Sequence, residues 1–112
     1  MTKAKMDWKH MTLELDGHAK SAPYGQDIVC AGISAISQTL IENLLREEDR
    51  NQIRFQWKMT EPGEIWMRAW PQEEAADAVR GMFVFTMAGL QRIAEDYPGN
   101  IEIKEERKNG SV

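Results

Sequence analysis

The chain has 112 residues, 42% of them apolar or aromatic, a length and composition that suit one domain with its own hydrophobic core and leave little room for a second. Its formal charge of −4 argues against a phosphate-binding surface, which needs clustered Lys and Arg, so no nucleic-acid partner is expected. One cysteine excludes an intramolecular disulfide, and two histidines beside it give no zinc-finger spacing, so no metal or other cofactor is expected.

The opening run Met1-Thr2-Lys3-Ala4-Lys5-Met6 lacks the apolar core of a signal peptide, and no later run approaches the ~20 apolar residues of a membrane span. The expectation is a cytoplasmic protein with no membrane partner. No repeat, low-complexity tract or long linker interrupts the chain. Lys3 to Trp8 and Thr12 to Asp16 predict two short strands joined as a hairpin, with Leu13 and Leu15 alternating against Thr12 and Glu14. After Gly17-His18-Ala19, the stretch Lys20 to Gln26 contains Pro23 and Gly25 and predicts a loop.

From Asp27 to about Leu45 the period changes. Val29, Ile33, Ile36, Leu40 and Leu44 follow helical spacing, and Asp27 suits an N-cap, its carboxylate accepting from the backbone N–H groups of the first turn. Ile53, Phe55, Trp57 and Met59 alternate with Arg54, Gln56 and Lys58 as in a half-buried strand. Pro62-Gly63 predicts a turn, and Ile65 to Trp70 a partner strand.

A second helix is predicted from about Gln72 to Asp96. Gly81 and Gly89 inside it each cost roughly 1 kcal/mol against Ala, which points to close approach of a neighbouring element. Tyr97-Pro98-Gly99-Asn100 ends it, Ile101 and Ile103 suggest a last strand, and a polar tail from Glu105 is expected to fray. The order ββαββαβ predicts an α+β fold, a mainly antiparallel sheet covered by two helices.

The chemistry-bearing residues gather around the first helix start. His18 follows a strand end, and Cys30 falls in the first turn of the predicted helix, where backbone N–H groups and the helix dipole favour an anion. Thiolate is the nucleophilic form, and an imidazole within reach would activate it. The N–H groups of Cys30 and Ala31 are candidate donors to an oxyanion. Against this stands the plainer fact that a cysteine on an apolar helix stripe is more often a small core residue.

The run Gly17-His18-Ala19, Tyr24-Gly25, Asp27-Ile28-Val29-Cys30-Ala31-Gly32-Ile33-Ser34-Ala35 resembles the ribosomal-processing cysteine proteases of bacteria and their phages. The resemblance implies an endopeptidase that removes an N-terminal extension from a large-subunit ribosomal protein, cutting after a short apolar and aromatic segment, or that processes a phage capsid or scaffold protein. On the matching positions it makes Cys30 the nucleophile and His18 its base, with Gly17, Asp27 and Ser34 in supporting places. It also favours a homodimer, as do the apolar strand residues that look exposed.

Ser34 stands one helical turn after Cys30, either supporting the thiol or packing in a tight helix contact. The loop from Ala19 to Gln26, flanked by Gly17 and Gly25, is a candidate substrate strap, and Tyr24 a candidate wall of an apolar groove. Trp57, Trp66 and Trp70 read as sheet and interface packing. A non-catalytic module that binds the same kind of extended segment is the alternative, and a thiol redox protein is disfavoured because no resolving cysteine exists.

Overall fold

Residues 1–17, 26–61 and 64–106 are described by the computed structural model. His18, Tyr24, Gly25 and the Pro62-Gly63 turn lie outside them, as do the side chain of Asp27 and the tail from residue 107. Strand β1 (Thr2–Asp7) and strand β2 (Thr12–Gly17) precede helix α1 (Gln26–Asp49). Strands β3 (Ile53–Glu61) and β4 (Glu64–Pro71) follow, then helix α2 (Ala76–Asp96) and strand β5 (Ile101–Glu106).

The five strands form one sheet in the order β3-β4-β2-β1-β5. Three neighbouring pairs are antiparallel, and β1 pairs with β5 in parallel. The period-two patterns decide which side is covered: Ala4, Met6, Leu13, Leu15, Phe55 and Met67 are buried under the helices, while their neighbours face solvent. On the open side Trp70 carries the guanidinium groups of Arg54 and Arg68, each 4.6 Å from its ring centre, so the tryptophan is shielded by cations rather than by a helix.

Helix α1 leaves the end of the sheet where Gly17 pairs with Thr2, and it delivers the chain to Ile53, which pairs with Pro71 at the opposite end. Helix α2 runs back from there. The two helices therefore pack antiparallel, and they come close where both carry glycine. A Cβ on Gly32 would meet Ile93 Cδ1 at 3.2 Å, and one on Gly89 would meet Ile36 Cδ1 at 3.1 Å. The expected close approach thus holds at Gly89. At Gly81 it does not, since a Cβ there would meet nothing within 4 Å.

Two boundaries and one composition differ from expectation for physical reasons. The second helix is broken at its start, a 3-10 turn over Glu73–Ala75 preceding α2, because the chain leaving Pro71 must turn before it can lie along the sheet. Strand β5 runs on through Glu105 and Glu106 because backbone pairing with β1 continues, and Trp8 holds its end: the indole Nε1 donates to Glu105 Oε1 at 2.7 Å and the Trp8 amide to Glu106 O at 3.1 Å. Helix α1, over Ile28–Asp49, reaches a mean hydropathy of 1.5, apolar enough by length and composition to span a bilayer, contrary to the sequence reading. Its most apolar stripe, Val29, Ile33, Leu40 and Leu44, is instead spent on the sheet.

Candidate active site

Cys30 sits near the start of α1 and is partly buried. Its direction follows from its neighbours. Gly32 and Ile36 mark the side of α1 that touches α2, and Val29, Ile33, Leu40 and Leu44 the side that touches the sheet. At 3.6 residues per turn, Cys30 lies about 60° beyond Ile33, on the side away from α2. Because α2 lies against β5 at one edge and α1 against β3 at the other, Cys30 faces the β3 edge. Ser34, partly buried, follows on the same side one turn later, and its hydroxyl accepts from Gln38 Nε2 at 2.6 Å.

Across from that side the covered face of β3 changes character. Ile53 and Phe55 are 6% exposed, whereas Trp57 and Met59, on the same face and paired with the buried Met67 and Ile65, are 42% and 44% exposed. The helix layer covers the start of this edge strand and leaves its end open. That open end lies at the same end of the sheet as the close of β2, since Asp16 of β2 pairs with Glu64 where β4 begins. Trp57 and Met59 thus present half-exposed apolar side chains along the sheet edge toward which the Cys30 side of α1 turns. The sequence pattern assigned Trp57 to packing, and its alternation could not reveal where the helix cover stops.

Gly17 is buried at the end of β2, and the reason it is glycine is steric. A Cβ there would lie 2.6 Å from Thr2 Cα and 2.8 Å from Thr2 Cβ, besides meeting the Thr2 hydroxyl. The strand that leads to His18 is therefore pinned against β1 at its last residue. His10, the other histidine, is fixed at the opposite end of the sheet, where its Nδ1 lies 2.8 Å from Asp7 Oδ2 in the β1–β2 turn. It is held away from Cys30 by the length of β2.

The helix start corrects two expectations. Helix α1 begins at Gln26, so Asp27 is its second residue rather than its N-cap, and Cys30 its fifth. An acidic residue in the first turn still suits the positive end of the dipole. A helix that starts at Gln26 leaves without i→i−4 partners the N–H groups of its first turn, before Cys30 and Ala31. Among the described residues, no cluster of three or more His, Cys, Asp or Glu could hold a metal ion.

With this geometry in view, the likenesses to known proteins are specific. Residues 1–102 match the family model described as cysteine protease Prp. The ribosomal processing cysteine protease Prp of Mycoplasma pneumoniae is 33% identical over 105 residues, covering 94% of this chain and 97% of that one. The fold superposes on an essential ribosomal processing protease Prp from Staphylococcus aureus in complex with a substrate peptide, with a TM-score of 0.75, 22% identity, and coverage of 95% of this chain and 100% of that chain. SMU.848 from Streptococcus mutans gives a TM-score of 0.65 at 24% identity, covering 94% of this chain and 93% of that chain. A match over nearly the whole chain, with a relative one third identical along it, establishes that the chain belongs to the cysteine protease Prp family.

Proposed function

We propose that this protease cuts an extended segment of a ribosomal protein, removing its N-terminal extension, with Cys30 as nucleophile and His18 as general base. The observation that carries the proposal is a partly buried thiol near the start of a helix, on the side that turns toward an edge strand with two half-exposed apolar side chains. An extended peptide laid along that edge would bring apolar or aromatic side chains onto Trp57 and Met59. The names of the Mycoplasma pneumoniae and Staphylococcus aureus proteins support the ribosomal substrate over a phage capsid or scaffold protein. A ribosomal substrate also agrees with a cytoplasmic location.

In this mechanism His18 takes the Cys30 proton, and the thiolate attacks the scissile carbonyl. The negative charge that develops on the carbonyl oxygen is met by N–H groups at the start of α1 that the helix leaves without partners. The imidazolium then gives its proton to the departing amine. Water, activated by the same imidazole, releases the acyl fragment and restores the thiol. Asp27 in the first helical turn and Ser34 beside Cys30 support the helix start rather than react. Tyr24 and Gly25 belong to the segment proposed to strap the substrate against Cys30. No cofactor enters these steps.

The test is cleavage of peptides carrying an apolar-aromatic processing segment, read by mass, with Cys30→Ala and His18→Ala as comparisons. Cutting at one bond, lost in both variants, is the expected result. Binding without cutting by the parent chain would instead support a module that only recognises the segment. Cutting that survives Cys30→Ala would overturn the assignment.

A further inference from the structure

Strand β3 ends the sheet, so only one of its two sides is paired, and the register shows which backbone groups the other side carries. Gln72 N donates to Gln52 O at 2.8 Å, one residue before Ile53 pairs with Pro71. Bonded and non-bonded positions alternate along an antiparallel ladder. Arg54, Gln56 and Lys58 therefore exchange their N–H and C=O groups with Trp70, Arg68 and Trp66. Pro71, which has no N–H to give, falls opposite Ile53 at a non-bonded position, as this parity requires. The next strand agrees: Ala69 N donates to Met11 O at 3.1 Å, which turns the odd-numbered residues of β4 toward β2 and the even-numbered ones toward β3. The N–H and C=O groups of Phe55, Trp57 and Met59 thus point out of the sheet, along the edge toward which the Cys30 side of α1 turns.

We infer, resting on the proteolytic reading of Cys30, that the substrate segment joins the sheet here as an added strand, hydrogen-bonded to the backbone of Phe55, Trp57 and Met59. Side chains level with one another in paired strands share a face. Every second residue of the added strand would lie beside Trp57 and Met59 on the helix side, where apolar or aromatic groups gain by burial. The residues between would lie on the open side beside Arg54, Gln56, Lys58 and Thr60, an exposed row with two cations and no acid. The segment recognised is one that alternates apolar with polar residues and takes an acid more readily than a base level with Lys58. Backbone pairing gives such a site its affinity, and the two side-chain rows give it its choice of segment.

The other edge of the sheet does not offer this. Strand β5 exposes Glu102, Lys104, Glu105 and Glu106, and it is the strand that α2 packs against, away from Cys30. On β3 the site has a defined end. The register slips by one residue between Met59 and Glu61, and the regular spacing of outward N–H and C=O groups stops there.

The test titrates a synthetic peptide carrying the apolar-aromatic processing segment into the Cys30→Ala chain, and separately measures cutting of the same peptide by the parent. Copies of the peptide N-methylated at single amides each remove one donor. Methylation at every second amide is expected to weaken binding about tenfold, and at the amides between to change it little. With Glu or Lys placed in turn at each polar position, one position should favour Glu by about 2- to 5-fold, and Lys58→Glu should invert that preference. Lys58 is exposed, so the variant should keep the parent's thermal midpoint. A methylation series without a period of two, or a charge preference that Lys58→Glu leaves unmoved, would overturn strand addition and leave proteolysis standing. Period-two binding without cutting by the parent would do the reverse, upholding strand addition and removing Cys30 as nucleophile. A peptide that the chain neither binds nor cuts would overturn both.

Discussion

Adding one methyl group at Gly17 should damage both the fold and the site. The new Cβ of Gly17→Ala would stand 2.6 Å from Thr2 Cα, where carbon atoms ordinarily settle at about 3.5–4.0 Å. Because the obstacle is backbone, no side-chain rotation relieves it, and β1 and β2 must part at their common end. Thr2 also donates from its amide to Asn100 O at 3.0 Å and pairs with Ile101, so the displacement spreads to β5. Such overpacking costs about 1–3 kcal/mol. Loss of glycine's freedom in the unfolded chain offsets about 0.4–1 kcal/mol. A net loss of about 1–2 kcal/mol corresponds to a midpoint lower by roughly 4–15 °C.

The activity should fall further than the loss of folded protein explains, since the strand end that leads to His18 must shift, and a misplacement of ~1 Å can cost on the order of 10²-fold. Thermal unfolding and peptide cleavage well below the midpoint measure the two effects separately. Adding Thr2→Gly removes the contacts with the Thr2 side chain but not the one with its Cα, so it should restore only part of the stability. A Gly17→Ala protein with the parent's midpoint and the parent's cleavage rate would refute the steric reading of this position.

Trp57→Ala should raise KM for an apolar-aromatic peptide by about 10- to 30-fold, with a smaller change in kcat, because it removes an apolar docking side chain and not a reacting group; an unchanged KM would remove Trp57 from the binding surface. Phe83, fully buried in α2, should cost about 3–5 kcal/mol as Phe83→Ala, measured by denaturant unfolding. Gly81→Ala should raise the thermal midpoint by a few degrees, reflecting up to ~1 kcal/mol of helix propensity at a site where the Cβ meets nothing. The hydrogen bond from the His10 side chain holds the Asp7 carboxyl below the ordinary aspartate range. Its contribution is therefore present above that range and lost as pH falls through the folded value. Asp7→Asn should be slightly less stable than the parent at neutral pH and converge with it in strong acid; a gap independent of pH would show that the pair does not act this way.

The strands and helices were legible because their apolar periods are clean: Leu13 and Leu15, Ile53 and Phe55, and Val29, Ile33 and Leu44 all occupy the buried side their spacing implies. Less was legible about extent. Trp57 and Met59 continue the alternation of Ile53 and Phe55 without a break, and only the reach of the helix layer leaves them half-exposed. Gly81 and Gly89 look alike in sequence, yet one faces Ile36 and the other open space, a difference set by the packing of α1 on α2. Asp27 resembles a cap, which would start α1 at Ile28 and make Cys30 its third residue; the helix starts two residues earlier and Cys30 is its fifth. The parallel neighbouring of β1 and β5 leaves no local trace at all, since it depends on where α2 returns the chain.

That last pairing ties the completion of the sheet to the order of synthesis. Trp8 and Glu105, bonded in the finished sheet, are 97 positions apart. While a ribosome is still making the chain, β1 must stand as an unpaired edge, with Thr2 open to pairing by any passing strand. Closing the sheet waits for the last strand and for a loop of nearly the whole described chain to form, which makes folding a slow, late event. A chain built in this way completes its sheet only once β5 has been made, 97 positions after Trp8, and the first hairpin must wait that long for its parallel neighbour.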